Sequence, residues 1–261
     1  MRAFSVDVEG AQLAGERRDG EGPPLVLAHG FGGARHDWEP VLAALPPDMP
    51  VVVYDQRGFG SSTSEPGVAF SHAEDLLALL DALDLPLANL CGLSLGGATV
   101  LGAAILNPAR VHRLALVSPM LAAWSWSDDW VEQWKAIGQA ARGGNMARAR
   151  TLWFEHPLFG TTRALGHGDA LRTSIEAFAG RQWIRDDQRA EVPMVERLHV
   201  VDAATLLLTG ARDLPDFRLM ADLIEAAVPN VTRIDDPRCG HLLTLEAPDA
   251  IAEAIASFLR G

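Results

Sequence analysis

The chain has 261 residues, 48% hydrophobic and 21% charged, and a formal net charge of −12. That excess of carboxylates argues against nucleic-acid and anionic-membrane partners, which are bound through clustered basic residues. The length suffices for one large α/β core with an inserted subdomain, and no Cys/His cluster stands at metal-ligand spacing.

The chain opens on Met1-Arg2-Ala3-Phe4-Ser5-Val6-Asp7, which lacks the apolar run of a secretory signal. No later stretch approaches the ~18 apolar residues of a spanning helix, and a cytoplasmic location is expected. Residues 3–8 and 11–15 predict an edge hairpin. Short β-branched and leucine-rich runs at 25–29, 51–54, 87–91 and 114–117 predict buried parallel strands, with helices over 73–83 and 98–106 between them. The strand ending at His29 runs into Gly30-Phe31-Gly32-Gly33, whose glycines permit close backbone approach. His29 itself reads as a buttress beneath that loop.

The run Leu87-Ala88-Asn89-Leu90-Cys91-Gly92-Leu93-Ser94-Leu95-Gly96-Gly97 carries the most information. A strand that reverses straight into a helix forces a tight turn with a strained apex, and glycines two before and two after leave room for it. Ser94 is the apex. Its hydroxyl would stand above the sheet, with the first amides of the helix starting at Leu95 facing any oxyanion formed beside it. In a chain with 24 glycines the bare Gly-x-Ser-x-Gly pattern is weak evidence, and the surrounding context decides its meaning.

From 120 to 191 the texture changes: strand-like runs disappear, charge is nearly balanced, and six of the seven tryptophans occur. This segment predicts a helical lid inserted into a sheet domain made of 1–119 and 192–261. Trp126, Trp130 and Trp134, four apart, would share one helix face. Trp126, Trp130 and Trp153 are candidates for lining an apolar acyl pocket, the alternative being that they glue the lid to the core. Arg142, Arg148 and Arg150 read as a solvated face, and Gly143-Gly144 and Gly166-His167-Gly168 as flexible points.

Alternation then resumes: strand 203–208, helix 217–227, strand 231–234 and helix 248–259. A serine hydroxyl needs a base to accept its proton and a carboxylate to orient that base. Such chemistry needs neither a metal nor an organic cofactor, and none is expected. His241 follows the last strand and Asp213 follows the strand before it, so both sit at carboxyl ends of parallel strands, the rim where Ser94 lies. Asp216 is the main rival to Asp213 but better suits a helix cap, while Asp235 and Asp236 read as turn residues closing a strand. Cys91 and Cys239, near Ser94 and His241, read as buried filler.

With these pieces assembled, the chain resembles the α/β-hydrolase superfamily in its lid-bearing branch of serine esterases, enol-lactonases and carbon–carbon hydrolases. His29-Gly30-Phe31-Gly32-Gly33 resembles that family's oxyanion loop, Asp55-Gln56-Arg57-Gly58-Phe59-Gly60-Ser61 the start of its D-x-R-G-x-G-x-S turn, and Gly240-His241 with Glu246-Ala247-Pro248 its histidine loop. The resemblance implies a mostly parallel eight-stranded sheet with helices on both faces, Ser94, Asp213 and His241 as the catalytic groups, oxyanion donors from the Phe31 and Leu95 amides, and structural roles for Asp55 and Arg57. The expected activity is hydrolysis of a small carboxylic ester or lactone by a monomer or homodimer. The alternatives are hydrolysis of a carbon–carbon bond in a vinylogous diketone, pyruvate elimination of the menaquinone-pathway type, for which Ala98 stands where an arginine is expected, and a ligand receptor without turnover.

Overall fold

A computed structural model describes residues 1–189 and 193–261. Eight strands form one sheet: β1 (Arg2–Val8), β2 (Ala11–Arg18), β3 (Leu25–Ala28), β4 (Val51–Tyr54), β5 (Ala88–Leu93), β6 (Val111–Val117), β7 (Ala204–Gly210) and β8 (Val231–Asp236), in the order β1-β2-β4-β3-β5-β6-β7-β8. The first two strands pair antiparallel with each other, and β2 pairs antiparallel with β4. Every other pairing is parallel, so the expected mostly parallel eight-stranded sheet is present, its hairpin at one edge.

Helices α1 (Glu39–Ala44), α2 (His72–Ala82) and α3 (Leu95–Leu106) connect the early strands. Between β6 and β7 lie α4 (Asp128–Arg142), α5 (Met146–Glu155), α6 (Gly160–Ala164), α7 (Gly168–Ala177) and α8 (Arg181–Ile184). The last part adds α9 (Pro215–Ala227), α10 (Leu243–Glu246) and α11 (Pro248–Arg260). The boundary expected between residues 191 and 192 lies outside the described residues.

The central strands are buried on both faces, which explains why they read as unbroken apolar runs rather than alternating ones. Successive side chains still point to opposite faces. Val26, Ala28, Leu90, Leu114 and Leu116 face one core with α3 and the helical insertion. Leu25, Leu27, Cys91, Ala115 and Val117 face the other with α1 and α11. Helix α3 is buried from Leu95 to Ile105, and its small residues let it lie close on the sheet. Among the described residues no helix is long and apolar enough to cross a membrane.

Candidate active site

The reversal from β5 into α3 gives Ser94 φ 54° and ψ −112°, a region that L residues avoid. It persists because the chain around it is over-determined. The Ser94 amide donates to the Val117 carbonyl at 3.0 Å, while the Ser94 carbonyl accepts from Met120 at 3.0 Å and Ala98 at 3.1 Å. A β-carbon on Gly92 would lie 2.0 Å from the Gly96 oxygen, and one on Gly96 would lie 2.1 Å from the Ala28 oxygen. Both positions therefore need glycine for close approach.

Two loops meet on the same rim. The segments after β7 and β8 pack backbone to backbone: a β-carbon on Gly210 would lie 2.1 Å from the Gly240 oxygen, and the Arg212 amide donates to the Cys239 carbonyl at 2.9 Å. This contact sets Asp213 beside His241, whose Nδ1 lies 2.8 Å from Asp213 Oδ2. The second oxygen of Asp213 accepts from the Leu214 amide at 2.7 Å. Both side chains are almost wholly buried, so the pair is shielded from competing water. Nε2 of His241 has no hydrogen-bond partner among the described residues. Behind the ring, Phe217 packs at 4.2 Å between centroids, and Glu246 fastens the loop by accepting from the Gly240 amide at 2.5 Å and the Thr162 hydroxyl at 2.5 Å.

The rival carboxylates are engaged elsewhere. Asp216 does not cap α9 through its side chain, contrary to the sequence expectation. It accepts from Trp124 Nε1 at 3.1 Å and from the Ser127 hydroxyl at 2.6 Å, tying the start of α4 to the sheet region. Asp235 and Asp236 are the last residues of β8, where Asp235 accepts from Thr209 at 2.6 Å and Asp236 pairs with Arg238.

His29 is fully buried. Its Nδ1 lies 2.8 Å from the Gly30 oxygen, and its Nε2 accepts from the Gln56 amide at 3.0 Å. Burial holds its pKa below the ordinary histidine value, so the neutral ring braces the Gly30–Gly33 turn against the strand-end loop. Arg57 meets Asp75 through two bonds of 2.7 Å, both partners buried. Breaking such a pair costs about 3–5 kcal/mol. Asp55 accepts from the Arg35 and Ser61 amides at 2.7 and 2.9 Å. Cys91 and Cys239 are buried; burial raises both thiols, Cys239 to about 11, which leaves no thiolate at neutral pH.

Ser94, Leu95, Phe31 and His241 line one cavity of about 410 Å³. Trp126, Trp130 and Trp153 also line it with Trp134 of the same stripe, and so do Phe59 and Phe217, which the sequence reading did not assign to it. Trp126 precedes α4 rather than belonging to it, because Ser127 caps the helix by accepting from the Trp130 amide. Its ring nevertheless stacks on Trp130 at 4.1 Å and 13°, and Trp130 on Trp134 at 6.2 Å and 13°. Arg142 and Arg148 are exposed, as a solvated face requires, and Arg150 is half-buried. Arg142 and Arg150 are in addition tied to the backbone. They donate to the Trp183 and Phe178 carbonyls, which lie near helix ends where carbonyls lack intrahelical donors. Gly144 and Gly166 sit in the turns after α4 and α6 at φ 81° and 90°. Among the described residues no group of three or more His, Cys, Asp or Glu side chains could hold a metal ion.

Residues 23–248 match the family model described as the alpha/beta hydrolase fold. The chain is 25% identical over 278 aligned positions to 3-oxoadipate enol-lactonase 1 of Acinetobacter baylyi, covering 99% of this chain and 94% of that protein. It is 28% identical to carboxylesterase YbfK of Bacillus subtilis, covering 92% and 81%. A hydrolase of Pseudomonas aeruginosa PA01 superposes with a TM-score of 0.82 at 28% identity, over 99% of this chain and 98% of that one. The chain belongs to the α/β-hydrolase family.

Proposed function

We propose that the chain hydrolyses carboxylic esters or lactones through Ser94, His241 and Asp213. The observation that carries this reading is the buried 2.8 Å contact between His241 Nδ1 and Asp213 Oδ2, with the other ring nitrogen unpartnered in a protein whose strained Ser94 borders the same cavity. Asp213 keeps the proton on Nδ1, leaving Nε2 as the base. The Ser94 hydroxyl attacks the substrate carbonyl as its proton passes to Nε2. The tetrahedral oxyanion is met by the Leu95 amide, at the first position of α3 where helix geometry supplies no acceptor, and by the Phe31 amide in the glycine turn. Losing one such donor lowers the rate by ~10²–10³. As the tetrahedral species collapses, the imidazolium returns the proton to the leaving alcohol, and water, activated by the same ring, releases the acid and restores Ser94.

An apolar, aromatic-walled cavity favours an apolar or aromatic substrate portion. The names of the enol-lactonase and the carboxylesterase agree with this class. A panel of p-nitrophenyl esters and small lactones, run beside a coloured dienolate carrying a vinylogous diketone, tests the reading. Ester or lactone hydrolysis above the background rate is expected. Turnover of the dienolate with kcat/KM more than ~100-fold above every ester would replace it with carbon–carbon cleavage.

A further inference from the structure

The cavity has a polar end that the chemistry at Ser94 does not use. Beyond Phe31 the wall continues through Phe59, whose ring centroid is 5.7 Å from that of Phe31 and 6.1 Å from that of His72. His72 and Gln182 both line the cavity there. His72 is 4% exposed, and its Nδ1 is buried without a hydrogen-bond partner among the described residues. The amide of Gln182 is oriented unambiguously: Nε2 donates to the Gly58 carbonyl at 3.0 Å, an oxygen that can only accept. That leaves Oε1 of Gln182 buried and unpartnered among the described residues. The segment carrying Gln188 closes this end by bridging to Phe70, whose ring meets His72 at 5.0 Å.

Two orphaned buried polar atoms at one end of an aromatic cavity are costly to the free protein. The cost is recovered when a bound molecule supplies their partners. Gln182 Oε1 requires a donor. His72, kept neutral by burial and by the nearby His29 and Arg57, offers one N–H and one lone pair. A hydroxyl group, which donates and accepts, satisfies both; a carboxylate has no proton for Gln182. The one lysine of the chain, Lys135, is exposed and also lines the cavity, so an anionic substrate would be drawn there instead.

We propose that His72 and Gln182 form a subsite for a hydroxyl group carried by the substrate away from its scissile carbonyl, an inference that rests on the esterase reading above. The test uses p-nitrophenyl esters of straight acids of four to ten carbons, each unsubstituted, with a terminal hydroxyl and with a terminal carboxylate. The matching alkyl butanoates with and without a terminal hydroxyl cover the alcohol side. At one chain length the hydroxyl should raise kcat/KM about tenfold over the plain ester, the scale of one buried hydrogen bond. Gln182→Leu and His72→Phe should each cut that ratio to about twofold or less. The proposal is overturned if no length in either series shows the gain, if the gain survives in both variants, or if the carboxylate gains more than the hydroxyl. Calorimetric binding of the same ester pairs to the Ser94→Ala protein reads the subsite without turnover. Absence of hydrolysis for every ester, together with preserved hydroxyl preference in binding, indicts the esterase reading and leaves the subsite standing.

Discussion

In the sheet region the contacts that fix the site are between backbones: Gly92 against Gly96, Gly96 against Ala28, and Gly210 against Gly240. In the helical insertion they are between rings, with Trp126, Trp130 and Trp134 stacked and Trp153 packed edge-on against Trp134 at 5.8 Å. Backbones in contact admit no added side chain, whereas a ring can be replaced by another apolar group if volume is roughly kept. The sheet region therefore decides where the reacting groups stand. The insertion decides what fits against them.

Substitutions should separate these two kinds of control. Asp213→Asn is expected to lower kcat by about 10⁴ while leaving the fold intact, because an amide favours the wrong imidazole tautomer. Asp216→Asn, three residues away, weakens only the ties to Trp124 and Ser127 and should change kcat less than ~10-fold, since these are partly exposed hydrogen bonds away from the reacting groups. Equal losses in the two variants would contradict the assignment.

A smaller contrast sets Gly210→Ala against Trp130→Leu. The first forces the β7 and β8 loops apart and should lower both melting temperature and kcat, the latter by ~10² because reacting groups misplaced by about an ångström lose that much. The second should change KM and acyl-length preference by ~10-fold with kcat within a few-fold, as expected of a contact made equally in ground and transition states. A kcat collapse in Trp130→Leu would place the insertion in the chemistry.

The smallest effect concerns acid stability. Burial holds His72 at about 3, and burial, with nearby His241 and Arg163, holds His156 at about 4. Both folded values lie below the unfolded ~6.5, so the unfolded chain takes up the protons first as pH falls. Stability should be level above pH ~6.5 and decline as the pH drops toward 4. Denaturant unfolding at several pH values should show this slope, and a shallower one in His156→Asn, which keeps an acceptor for the Leu158 amide. Stability that rises below pH 6 would refute the sign.

Strand positions and the Ser94 turn were legible in the sequence because each rests on local pattern: unbroken apolar runs, and glycines two residues either side of one serine. The rim assignment of Asp213 and His241 was legible for a topological reason, as both follow parallel strands. Side-chain destinations were not. Whether Asp216 caps its own helix or reaches across to Trp124 depends on where α4 begins, and Ser127 sets that by capping it. His72 and Gln182 carried no local signal either, because their lining one cavity depends on how α8 docks on the loop at Gly58. Phe217 could have been noticed from its place four residues after Asp213, on the helix that leaves the same rim.

The most direct test of Ser94 as nucleophile is mass spectrometry of the protein after reaction with a fluorophosphonate. One adduct is expected, on the peptide containing Ser94, absent from Ser94→Ala and slower to form in His241→Ala. An adduct on another residue, or undiminished ester hydrolysis by a folded Ser94→Ala protein, would contradict the account.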